Sequence, residues 1–243
     1  MLYASVGMNP ELGGTYQSLD DSLVKTMPGI TKVLALPEMY GSTTAVAVVA
    51  QSTYQAMKGL RKLSVEWCPG KATDISDATV QASFKEALDS QSGFTYFSTG
   101  DADSAIAAST KQIHAEYSAP YLAHAAMEPL SCTVWFKDGG AQVWASTQIT
   151  DLARHVVAKV LGIAADKVQL HLTLLGGGFG RRLEMDVIAQ AAYIAKACEG
   201  PKAAVAASYH PFMTDNIHKS FNPLCHQSRV LDKIRCRVDH SWN

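Results

Sequence analysis

The sequence predicts a mixed α+β fold, and three observations carry that prediction. Short β-rich apolar runs, such as Lys32–Leu36 and Ala45–Ala50, alternate with stretches of helical period such as Ser52–Leu63. Glycine and proline punctuate these runs at the spacing of strands, hairpins and short helices. A chain of 243 residues, 47% apolar and 18% charged, is also long enough to bury a core without staples.

Residues 1–70 read as a compact module ordered strand–helix–strand–strand–helix–strand. Leu2–Val6 is the first strand. Ser18-Leu19-Asp20-Asp21 offers helix caps ahead of apolar Leu23 and Val24, and Pro28-Gly29 stops that helix. Lys32–Leu36 and Ala45–Ala50 are strands around a loop at Gly41–Thr44. Ser52–Leu63 places Ala56, Leu60 and Leu63 on one helical face, and Leu63–Trp67 alternates as a closing strand. Residues 71–111 change character and read as a connector. Asp77–Leu88 and Asp101–Ser109 are its helices, and Asp89–Gly100 is a Ser/Gly/Thr-rich surface segment.

Residues 112–200 hold the clearest pattern. Ile113–Tyr117 reads as a strand. Thr133–Phe136 and Gln142–Ala145 form a hairpin around Asp138-Gly139-Gly140. Thr150–Leu161 is a helix capped by Thr150, with Leu152, Val156, Val160 and Leu161 inward and Gly162 at its end. Val168–Leu172 is a strand, a glycine-rich turn follows at Gly176–Gly180, and Leu183–Cys198 is an Ala-rich helix. Residues 201–243 form a divergent tail with no clean period. It carries four of the eight histidines and two of the five cysteines.

Composition excludes several function classes. Twenty-one Lys+Arg against 22 Asp+Glu give a net charge of −1, so no bulk attraction to nucleic acid or anionic lipid is expected. No window approaches the roughly 18 apolar residues that span a bilayer. The cysteines (Cys68, Cys132, Cys198, Cys225, Cys236) are odd in number and form no CxxC pair. They read as reduced thiols, neither a disulfide framework nor the ligands of an iron–sulfur cluster. Cys225-His226 with Cys236 and His240 is one pair at loose spacing and does not make a zinc site. Met1-Leu2-Tyr3-Ala4 reads as the start of a strand, with no charged segment or cleavage site of a leader. Cytoplasm and periplasm both remain open.

Three short motifs could carry chemistry. Gly176-Gly177-Gly178-Phe179-Gly180-Arg181-Arg182 lies between a strand and a helix. Its glycines permit close backbone approach to a ligand. Its N–H groups can form an anion nest, and Arg181 and Arg182 add donors for oxyanions. It is not a P-loop, which needs Lys-Ser/Thr after the last glycine. Nor is it the dinucleotide fingerprint, whose third glycine would fall on Arg181. The second motif is Ser146-Thr147-Gln148, at the end of a strand. The third is His124-Ala125-Ala126-Met127-Glu128-Pro129-Leu130, with a carboxylate in an apolar run. Each alone has a plain structural reading as a cap, a turn or a satisfied acid.

Taken in order, AHAAMEP, WASTQ and GGGFGRR, with Gln148 and Phe179 31 positions apart, resemble the large subunit of the molybdenum hydroxylases. This is the xanthine dehydrogenase and aldehyde oxidase family. The Arg-Arg ending is similar to the branch of isoquinoline 1-oxidoreductase beta subunits. The resemblance covers about residues 1–200. It implies a small hammerhead-like α+β domain at 1–70 and the first part of a molybdopterin-binding domain at 112–200.

At matching positions it implies cofactor-binding roles for Gln148, Gly177, Gly178, Phe179, Gly180, Arg181 and Arg182. Gln148 would donate its neutral amide to an oxo ligand of the metal, and the pterin's sulfurs would hold the molybdenum. The implied reaction is hydroxylation of an aldehyde or electron-poor N-heterocycle with oxygen from water. A small [2Fe-2S] subunit and the rest of the large subunit are the implied partners. In the family the catalytic base is a Glu near the far C-terminus of the large subunit, so no catalytic residue is expected in this chain, and Glu128 is not at the matching position. On this reading the chain is an incomplete large subunit, inactive alone. The alternative is a non-catalytic structural or assembly remnant.

Overall fold

The computed structural model describes residues 1–11, 13–70, 75–90, 93–119, 121–198 and the strand at 204–209. These fall into two compact units, the first holding Met1–Thr73 and Ala123–Cys225 and the second holding Asp74–Leu122. Helices and strands occur together, as the α+β expectation requires. Among the described residues no helix is long and apolar enough to cross a membrane.

The first unit is organised by a seven-stranded sheet. Its strands are β1 (Leu2–Met8), β3 (Ile30–Leu36), β4 (Ala45–Ala50), β6 (Leu130–Lys137), β7 (Gly140–Ala145), β8 (Val168–Leu172) and β9 (Ala204–Tyr209), in spatial order β3-β4-β1-β9-β6-β7-β8. A separate ribbon pairs β2 (Thr15–Asp20) with β5 (Ser64–Cys68). Helix α1 spans Ser22–Lys25 and α2 spans Thr53–Lys62; α5 (Thr150–Leu161) and α6 (Asp186–Ala197) complete the unit.

β4 shows why the sequence folds this way. All six residues are buried, because period-two alternation feeds both faces of a sheet covered on both sides. Ala45, Ala47 and Val49 join the core built with α5 and α6. On the other face Val48 packs against Gly59 of α2, where an added Cβ would lie 2.8 Å from Val48 Cγ1. Ser52 caps α2 by accepting from the Gln55 N–H at 3.3 Å. The β6–β7 hairpin turns at Asp138 (φ 51°) and Gly139 (φ 71°), both left-handed as a type I′ turn requires.

The structure corrects several expectations. The Ser18–Asp21 stretch is mostly strand: Ser18 and Asp20 belong to β2, and only a single turn of helix follows. Ile113–Tyr117 has no strand pairing. In α5 the buried stripe is Ala153, Val156, Val157, Ala158 and Leu161, while Leu152 is 45% exposed. The alanines extend the apolar face and rotate it away from Leu152. Thr150 is the first residue of α5 and makes no side-chain cap. Helix α6 begins at Asp186, because the chain first makes a 3-10 turn over Arg181–Leu183 and is then extended at Glu184 (ψ 141°).

The expected split between 1–70 and 112–200 is crossed by the sheet. β9, inside the segment read as a divergent tail, pairs parallel with β1 and antiparallel with β6 and so joins the two. The rest of that tail, including Cys225, His226, Cys236 and His240, lies outside the described residues. The second unit carries α3 (Asp77–Asp89), with a capping box between Ser76 and Thr79, and α4 (Ala102–Ala108), capped by Asp101. Neither helix contains a buried residue.

Candidate functional site

The three motifs meet at one end of the sheet. β7 runs straight into Ser146-Thr147-Gln148, and its parallel neighbour β8 leads into the glycine loop. The Thr173 N–H donates to the Ala145 carbonyl at 3.1 Å just beyond the paired register. Parallel pairing therefore delivers both motifs to the same edge.

The His124–Leu130 segment lines the loop. The Glu128 N–H donates to the Gly176 carbonyl at 3.1 Å, and the Gly176 N–H returns a bond to Glu128 Oε2 at 2.7 Å. A Cβ on Gly176 would lie 2.3 Å from Glu128 Cβ. On Gly178 it would lie 2.7 Å from Gln148 Oε1, and on Gly180 3.7 Å from His124 Nε2. Gly176 and Gly178 thus clear space for the protein's own side chains, Glu128 and Gln148. Gln148 stands against the loop as expected, and its own N–H donates to the Arg182 carbonyl at 3.0 Å.

Phe179, at the tip, is left-handed (φ 53°) and 73% exposed. A bulky residue in that conformation is strained, and strain of this kind collects at ligand-facing sites. The N–H groups of Gly177, Gly178, Phe179 and Gly180 have no acceptor among the described residues.

The two arginines differ from expectation. Instead of opening toward oxyanions, both are turned inward onto carboxylates. Arg181 forms a two-pronged pair with the fully buried Asp186, at 2.9 and 2.6 Å. Arg182 is 2% exposed. It donates to the Gly177 carbonyl at 2.7 Å, to Ser146 Oγ, and to Glu128 through Oε2 at 2.7 Å and the carbonyl at 3.1 Å. Two arginines next to a chain of alternating polar and apolar residues do not reveal in sequence which acids will meet them, because Glu128 lies 54 positions away.

Thr147, in the second motif, and Glu184, just past the glycine loop, take structural positions that spacing alone does not reveal. Thr147 is buried, donates to the Arg182 carbonyl at 3.1 Å and accepts from the Ile149 N–H at 3.2 Å, which fixes the entry to α5. Glu184 is half-buried. Desolvation pushes its carboxyl above the usual range, Arg181 opposes that shift, and Asp186 adds to it.

The donor set fits a polyanionic organic cofactor: a row of backbone amides, one neutral side-chain amide and an exposed aromatic ring. The characteristic sequence of the molybdopterin cofactor-binding domain matches residues 85–221. The chain therefore belongs to the molybdopterin cofactor-binding domain family, and molybdopterin is the cofactor that this family binds.

It is similar to the isoquinoline 1-oxidoreductase subunit beta of Brevundimonas diminuta, with 32% identity over 209 residues, 81% of this chain and 26% of that subunit. A membrane-bound aldehyde dehydrogenase [pyrroloquinoline-quinone] of Gluconacetobacter polyoxogenes is also 32% identical, over 203 residues, 82% of this chain and 26% of the relative. The chain thus spans about a quarter of the length of these curated relatives. Among solved structures, the aldehyde oxidoreductase of Desulfovibrio desulfuricans superposes with a TM-score of 0.60 at 16% identity, covering 86% of this chain and 27% of that one. A Cu,Mo-CO dehydrogenase gives 0.58 at 18%, covering 86% and 31%. These two likenesses concern the fold.

Proposed function

We propose that this chain supplies the glutamine and glycine-loop side of a molybdopterin site in an oxidoreductase subunit that hydroxylates aldehydes or electron-poor N-heterocycles with water-derived oxygen. The observation that carries the reading is the Gln148 amide packed against Gly178, beside four successive backbone amides with no acceptor among the described residues. Relatives named for aldehyde, isoquinoline and nicotinate support the substrate class. The bound molybdenum cofactor supplies the redox chemistry. The chain's own residues bind and orient it: Gln148 presents a neutral donor, Gly177–Gly180 present N–H groups, and the Phe179 ring covers one side.

Arg181 and Arg182 hold this surface from behind. Glu128 is committed to Arg182 and to the Gly176 N–H and is not free to act as general base; in this proposal a part of the large subunit other than this chain supplies that base. An iron–sulfur subunit would be the partner that accepts the electrons this chemistry releases. The test is a titration of the ¹⁵N-labelled chain with molybdopterin released anaerobically from a donor enzyme. Shifts should centre on Gln148 and residues 177–180, and aldehyde-dependent dye reduction should be absent. No response at those residues sinks the binding role. Sustained turnover by the chain alone sinks the assignment of the base.

A further inference from the structure

We infer that Arg182 is the positioning residue that sets Gln148 against the glycine loop. This rests on the cofactor reading above for its purpose, though not for its geometry. Arg182 is tied to three separate segments at once. Its Nε holds the Gly177 carbonyl in the loop, one terminal nitrogen holds Ser146, two residues before Gln148, and the other holds both the carboxylate and the carbonyl of Glu128. Its own carbonyl accepts from the Gln148 N–H and from Thr147 Oγ1. Side chain and backbone of one residue therefore fix both sides of the gap that Gln148 fills.

That gap has little slack, since Gln148 Oε1 lies 2.7 Å from where a Gly178 Cβ would stand. A buried ion pair is a poor means of gaining stability, because desolvation offsets most of the attraction. What a planar fork of donors does well is hold several acceptors at fixed angles. A lysine keeps the charge and can satisfy Glu128, but its single ammonium cannot also reach Gly177 and Ser146 along separate directions. Arg182 is thereby an organiser of the ligand-facing surface rather than a ligand contact.

The experiment compares Arg182→Lys with Glu128→Gln and with Val157→Ala, a buried core control in α5. Two readouts are used on the full chain: amide hydrogen exchange, and the side-chain NH₂ resonance of Gln148. Arg182→Lys should speed exchange at Gln148 and Gly176 by about tenfold or more relative to β7, and should move the Gln148 NH₂ resonance. Glu128→Gln should speed Gly176 alone. Val157→Ala should raise exchange through the core without moving that resonance. The inference is overturned if Arg182→Lys leaves the Gln148 resonance in place, or if Val157→Ala moves it equally. Because neither readout needs cofactor, a failed molybdopterin titration of the native chain counts against the proposed function and leaves this test intact.

Discussion

Gly176 and Gly178 sit two residues apart, and neither has a left-handed backbone, so alanine is conformationally admissible at both. What a new Cβ would meet is quite different. At Gly176 it would lie 2.3 Å from Glu128 Cβ and 3.1 Å from Oε2. Carbon atoms pack at about 3.5–4.0 Å, so the two segments must part by more than 1 Å or so. A Cβ cannot swing aside, and Glu128 is pinned by Arg182 and by the Gly176 N–H. Overpacking of this kind costs about 2–3 kcal/mol, which for a chain of this size lowers Tm by roughly 4–12 °C.

At Gly178 the obstacle is Gln148 Oε1 at 2.7 Å, the free end of a flexible side chain. That amide can rotate away at a cost under about 1 kcal/mol, partly offset by the ~0.4–1 kcal/mol that alanine gains by restricting the unfolded chain. Gly178→Ala should therefore keep Tm within about 2 °C of the native value while abolishing the Gln148 response to molybdopterin. Calorimetry on both variants, alongside the titration, decides the matter. Equal Tm shifts, or a larger one for Gly178→Ala, would refute the claim that these glycines are set by different neighbours.

Two further outcomes follow from buried groups elsewhere. Burial pushes the Cys132 thiol up to about 12. Its folded pKa lies above the unfolded value, so its contribution to stability is complete below about pH 8.5 and is lost as pH rises toward 12. Cys132→Ala should flatten the loss of stability between pH 9 and 11 in urea melts, and the native thiol should resist alkylation at pH 8; an unchanged pH slope would contradict this. Asn9, itself buried, donates to the carbonyls of Thr15 at 2.8 Å and Cys68 at 3.1 Å and accepts from the Glu11 N–H at 2.9 Å. Asn9→Ala should cost about 1–3 kcal/mol in the same melts and loosen exchange in the β2–β5 ribbon first. Uniform loosening of the whole sheet would argue against that local role.

What could be read in advance follows the physics of each element. β4 and the β6–β7 hairpin were legible because burial on both faces and a two-residue left-handed turn leave local marks in sequence. β2 was not. Ser18, Asp20 and Asp21 satisfy every local rule for a helix cap, and only the partner β5, more than 40 residues on, makes the segment a strand. β9 was hidden for a related reason: both of its partners, β6 and β1, lie far back along the chain, so no local pattern marks it as a strand. At the site, the meeting of Gln148 with the glycine loop was foreseeable from the strand–helix–strand return between them. The inward turn of Arg181 and Arg182 was not, because it depends on which carboxylates the fold brings near.

The central place of β9 also has a consequence for how the chain comes into being. β1 can pair with β4 within the first fifty residues, but its other edge stays open until β9, about 200 residues later, has been made. At about 5–20 residues per second, synthesis leaves that edge uncovered for roughly 10–40 s. An open strand edge beside a run such as AVAVVA is a template for pairing with the wrong chain. Nascent chains of this protein therefore pass through a long vulnerable interval on the ribosome, and the yield of folded product depends on what shields β1 until β9 arrives.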